Sequence, residues 1–127
     1  MKKIKLSDIS NKNYRFSIVH PKIGDTGAWI EIKSSNCDEY FHKSWILAEK
    51  YKGTEQSPIE QLNDTGELLA TIVTAWDEEF FEMECTTENV ASVLSKFDMG
   101  WLRAQINVEL AKDENFFSDA LKSATKE

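Results

Sequence analysis

The stretch from Glu84 to Phe117, ECTTENVASVLSKFDMGWLRAQINVELAKDENFF, constrains this chain most, because its apolar residues recur at helical spacing on both sides of one glycine. Thr86 or Thr87 can accept hydrogen bonds from the first free backbone N–H groups of a helix, and Glu88 in the first turn suits the helix dipole. Val90, Val93, Leu94 and Phe97 then fall on one helical face. Gly100 can take the left-handed conformation that closes a helix, and the chain restarts at Trp101. Leu102, Ile106 and Leu110 form the next stripe, followed by Phe116, Phe117 and Leu121. The pattern predicts two short helices joined at Gly100, with Phe97 and Trp101 buried at the corner.

Upstream, the period changes. Tyr14, Phe16, Ile18 and His20 alternate with Arg15, Ser17 and Val19, the pattern of a half-buried strand. Pro21 ends it, Gly24-Asp25-Thr26-Gly27 supplies turn chemistry, and Ala28 to Lys33 returns as a second strand with Ile30 and Ile32 on one face. A hairpin alone is marginal in water, so it must lie on helices or on another chain. Residues 1–13, with Ile4, Leu6 and Ile9 as their apolar anchors, are expected to be loosely ordered or to add an edge segment.

Between these regions two more helices are expected. Asn36 or Asp38 can cap one that runs to about Lys52, with Tyr40, Phe41, Trp45, Ala48 and Tyr51 or Lys52 at helical spacing and Ile46 and Leu47 widening the apolar face. Core or subunit packing is the expected use of those aromatics. Ser57-Pro58 announces the next helix, with serine as cap, proline at the first helical position and Glu60 completing a capping box. Ile59, Leu62, Leu69, Ile72, Val73 and Trp76 give it a buried stripe, while Gly66 is a weak point costing about 1 kcal/mol relative to alanine and a place for a kink. The stripe implies a helix ending in Asp77-Glu78-Glu79, where carboxylates oppose the dipole. Either the helix stops at Trp76 and the acids belong to a loop, or they are held there for a partner. Phe80 to Cys85 reads as extended. The reading is therefore one α+β domain over residues 1–127, mainly helical, with a β-hairpin region at 1–33 packed on four to five helices at 37–121 and a frayed end at 122–127.

Composition excludes several functions. At 41% hydrophobic and 29% charged residues the chain is in the globular range. It has no apolar run long enough to cross a membrane, and Asp8 interrupts the start, MKKIKLSDIS, that would otherwise resemble a secretory signal. A cytoplasmic, membrane-free protein is expected. Cys37 and Cys85 are far apart, and with His20 and His42 they make no paired metal-ligand spacing, so reduced cysteines and no metal are expected. Residues 1–22 carry a net +5, so the overall −7 leaves −12 for the rest, and no lysine or arginine occurs from Gly53 to Ser95. An acidic body with a small basic head lacks the clustered cations that phosphate neutralisation requires, so nucleic acid is not an expected partner. There is no phosphate loop and no nucleophile elbow. A non-enzymatic protein without cofactor is expected.

Several segments taken together resemble the tail assembly chaperones of long-tailed bacteriophages and prophages. They are Ala75-Trp76, the acidic connector Asp77-Glu78-Glu79, the start Thr87-Glu88-Asn89-Val90, then Leu94, Leu102, Gln105-Ile106 and Asn115-Phe116-Phe117, together with the strand pair followed by Asp38-Glu39-Tyr40. The resemblance implies a scaffold that binds the long apolar helical tape measure protein until tail tube subunits polymerise around it. It also implies a longer frameshifted form that recruits tube protein, and residence in the host cytoplasm rather than in the mature virion. The residues allow such a role, since gripping an apolar helix requires exposed apolar stripes on an acidic body. Trp45, Trp101, Phe116 and Phe117, with Asp77, Glu78 and Glu79, are the candidate partner-binding residues. Self-association through the hairpin edge or the aromatic C-terminal helix is expected. Two other classes fit less of the chain: an acidic DNA-mimic inhibitor or adaptor for a basic protein, and a small enzyme whose site leaves no sequence signature.

Overall fold

The computed structural model describes residues 3–53 and 55–117. Their architecture is α+β and mainly helical, as the sequence pattern implies, but the sheet has three strands rather than two. Strands β1 (Tyr14–His20), β2 (Gly24–Ile32) and β3 (Val73–Trp76) pair antiparallel in the order β1-β2-β3. The register sets Phe16 opposite Ile30 and Ile30 opposite Trp76, so alternate residues of all three strands fall on one buried face.

The hairpin reverses at Pro21-Lys22-Ile23, not at the Gly24–Gly27 tetrad. His20 Nδ1 accepts the Lys22 and Ile23 N–H groups at 3.1 and 3.3 Å and shapes the reversal. The tetrad instead lies inside β2 as a bulge. There Gly27 has φ of 76°, and Thr26 Oγ1 donates to Ile18 O at 2.7 Å in place of a ladder bond.

The helices are α1 (Asp38–Lys50), α2 (Pro58–Ala70), the single turn α3 (Glu78–Phe81), α4 (Thr87–Leu94) and α5 (Gly100–Leu110). Ser57 and Glu60 form the expected capping box at the start of α2, and Thr86 caps α4 by accepting from Asn89 N at 3.1 Å. Gly66 does not kink α2. It sits where α2 crosses α4, and an added Cβ would be 2.7 Å from Ala91 O and in overlap with Ser95 Oγ.

The long helix expected through Trp76 ends at Ala70. Ile72, Val73 and Trp76 satisfy a helical period, but Ile72, Val73 and Thr74 are all branched at Cβ, and residues of that kind pack well on a pleated sheet. Pairing with β2 decides the matter. Gly100 is likewise right-handed, with φ of −57°, and begins α5 instead of closing a helix. Because α4 already stops at Leu94, Phe97 falls in a 3-10 turn (Phe97–Met99) and is 73% exposed rather than buried at a corner. The Arg103 guanidinium supports this turn by donating to the carbonyls of Leu94 and Lys96.

The core joins Phe16, Ile18, Ile30 and Ile32 of the sheet to Leu69, Ile72, Val90, Leu94, Leu102, Ile106 and Phe116. Gln105 of α5 seals the outer edge of β1: its amide donates to Ser17 O and accepts from Val19 N, both at 3.1 Å. Two backbone groups of that edge are thereby occupied. The N-terminal residues add an edge contact, with Asn11 bridged to Phe117 and Lys12 N donating to Phe116 O at 2.9 Å.

Candidate partner-binding surface

α1 is the least integrated of the long helices. None of its residues is buried. Tyr40, Lys43, Leu47 and Tyr51 are half-buried and recur along the side that rests on α2. Two cross-helix ion pairs help hold it, Lys43 Nζ to Glu67 at 3.1 Å and Lys50 Nζ to Asp64 at 3.8 Å. At its start, hydrogen bonding to backbone N–H and the nearby Lys33 ammonium hold the Glu39 carboxyl below its ordinary value, with Lys33 Nζ 3.2 Å away. On the outward side Phe41 and Trp45 are 65% and 63% exposed, one helical turn apart, and Ile46 is also exposed. Large aromatics left open in this way are unusual for a helix whose other face is only half covered.

Beside this face, α1 and α2 enclose a cleft of about 430 Å³ walled by Leu47, Ala48 and Leu68, with Tyr51, Gln56, Gln61, Asp64 and Thr65 supplying polar groups. Asp64 is only 7% exposed. Its Oδ2 accepts a short hydrogen bond from Gln56 Nε2, while Oδ1 faces Lys50 at 3.8 Å, beyond hydrogen-bond length. The Tyr51 hydroxyl donates to Glu60 at 3.1 Å. Removal from water raises the Tyr51 phenol, and hydrogen bonding to Asp64 and Glu60 raises it further, against the lowering effect of Lys50 and Gln56.

The seven residues expected to bind a partner do not form one surface. Trp45 lies on the open face of α1 as expected. Trp101 is half-buried, with its ring edge-on to His20 at 4.8 Å. Phe116 is a correction: it is 2% exposed, folded inward by the 3-10 turn Asp113–Phe116 and set edge-on to Tyr14 at 6.4 Å. Phe117 is half-buried beside Asn11, and Leu121 lies outside the described residues.

The acidic connector is a second correction, because it starts a helix instead of ending one. Asp77 is the N-cap of α3 and accepts from Glu79 N and Phe80 N at 3.2 and 3.3 Å, so the local dipole favours these carboxylates. Glu78 accepts from Cys85 N at 3.0 Å, and Glu78 and Glu79 are both exposed while Asp77 is half-buried. Burial, with Glu78 nearby, raises the Cys85 thiol. After α3, Glu82 takes a left-handed φ of 57°. Trp76 stacks on Phe81 at 4.0 Å, so the segment after it is a folded turn and not an extended one.

Sequence reasoning missed two parts of the surface. Phe41 shares a helical period with Trp45, which suits core or subunit packing equally, and the only signal of its exposure is that α1 has more apolar positions than one contact can cover. Nothing in the sequence marks Asp64 as buried. Among the described residues no His, Cys, Asp and Glu group could hold a metal ion, and no helix is long and apolar enough to cross a membrane. No protein-family model, curated protein or solved structure matches this chain.

Proposed function

We propose that this protein is a non-enzymatic tail assembly chaperone of a long-tailed phage or prophage. It acts in the host cytoplasm, holding a tape measure protein soluble and helping to recruit tail tube subunits. The observation that carries the reading is α1, a complete helix with nothing buried that turns Phe41 and Trp45 to solvent. A closed globule gains nothing from that arrangement, whereas a holder of apolar helices needs it. The acidic inhibitor alternative is less well supported. It needs a field of free carboxylates, yet Glu60, Asp64, Asp77 and Glu78 accept hydrogen bonds within the chain and Glu67 pairs with Lys43.

The test is co-expression with the tape measure polypeptide encoded beside it. A soluble complex should elute as one species, and a Phe41→Ser, Trp45→Ser double variant should return the client to the insoluble fraction. A client that stays insoluble with the unaltered protein, with no complex eluting, would sink the reading.

A further inference from the structure

The cleft beside the aromatic pair specifies the partner more narrowly than the pair does. Successive helical residues advance about 100°, so Asp38, Phe41, Trp45, Ala48 and Glu49 fall on one outward stripe of α1. It reads acid, aromatic, aromatic, small, acid, and spans about 16 Å, or three helical turns. Lysines 43 and 50 of α1 are turned to carboxylates of α2, so no cation belongs to the stripe within the helix. Ala48 lies both on the stripe and in the cleft wall, which makes the two surfaces continuous. Behind it is Asp64, a nearly buried carboxylate whose Oδ2 accepts from Gln56 and whose Oδ1 is met by Lys50 at 3.8 Å, a loose pair that a closer cation would outcompete. Aliphatic walls leading to such a group suit a cation carried on an alkyl stem. The surroundings have the same sign, with seven carboxylates against three lysines between Asp38 and Ala70.

We infer that stripe and cleft together bind one helical segment of another polypeptide. A lysine or arginine of that segment enters the cleft to reach Asp64, and aliphatic residues a turn away cover Phe41 and Trp45. The inference rests on the chaperone reading for the idea of a helical client and adds that the gripped segment is basic as well as apolar. A second copy of this chain fits the stripe less well. Its basic head holds a three-residue 3-10 turn, Leu6–Asp8, where the stripe calls for three turns of helix.

The test is a calorimetric titration of the intact protein with a synthetic leucine-lysine amphipathic helix of about five turns, and with its leucine-glutamate counterpart. The basic peptide should bind and the acidic one should not. Asp64→Asn should weaken binding about tenfold, whereas Glu88→Gln, the same loss of charge on α4, should change it less than about twofold. Equal losses in the two variants would mean unspecific attraction to an acidic protein and would overturn the inference. Ala48→Arg, made at an exposed helical position, should abolish binding by filling the cleft from its rim. Wild-type affinity in that variant would also overturn it. So would a wild-type dimer that Ala48→Arg disperses in light scattering, since the occupant would then be a second copy. A tape measure complex that survives both cleft variants refutes the cleft alone, whereas failure to form any complex refutes the function and leaves the peptide titration to judge the cleft.

Discussion

Replacing Gly66 by alanine sets two physical effects against each other, and the structure determines the sign. Intrinsic propensity favours alanine inside a helix by about 1 kcal/mol. Against that, the new Cβ would sit 2.7 Å from Ala91 O and 3.0 Å from Ser95 N and would overlap Ser95 Oγ. Rotating Ser95 away relieves only the last contact and breaks its hydrogen bond to Ala91 O, worth about 1 kcal/mol. The other two atoms are backbone of α4, so relief requires α2 and α4 to part, and such overpacking costs about 1–3 kcal/mol. The balance is a net loss of about 1–3 kcal/mol, which lowers the melting temperature by about 3–10 °C for a domain of this size. Urea titration followed by far-ultraviolet circular dichroism should show a lower midpoint at unchanged slope. Adding Ser95→Ala should recover part of the loss but not all of it, because the backbone contacts persist. An alanine variant with a raised midpoint would refute the argument, showing that the helices do not meet at Gly66 and that propensity governs.

Two further outcomes follow from single side chains. Gln105→Ala removes both amide contacts to β1 and reopens its edge, so it should cost about 1–2 kcal/mol and add concentration-dependent association; unchanged melting with no association in light scattering would deny Gln105 that role. Hydrogen bonds from Ser57 and Tyr51 hold the Glu60 carboxyl below the ordinary 4.5. A depressed folded value means that this stabilisation is complete above the unfolded value and is lost as pH falls through the folded one. Glu60→Gln keeps a capping side chain without the charge, so its melting temperature should fall less steeply than that of the wild type as pH drops below 4.5, and parallel curves would contradict this.

What could be read from the sequence follows from how local each signal is. Alternation from Tyr14 to His20 marks a strand because neighbouring residues alone create it, and the capping pairs at Ser57 and Thr86 act within one turn. For the binding surface, Trp45 could be picked out by its size and position. Phe41 could not, because its spacing is equally that of a core residue, and neither could Phe116, whose burial depends on a turn at Asp113.

The chain alone determined the two hairpin strands, the caps at Ser57 and Thr86 and the acidic body with a basic head, since each is set by residues close together in sequence. By contrast, α1 has Cys37 at its cap position and no side-chain cap from Asn36 or Asp38. Only the tertiary structure turned Val73–Trp76 into a strand, made Asp77 a helix start and buried Asp64 beside an open aromatic face. Those outcomes depend on partners 40 or more residues away or on another helix, as in the pairing of Ile30 with Trp76. When one apolar spacing suits both a helix and a strand, the winner is whichever form finds a surface to pair with, and that surface exists only after folding.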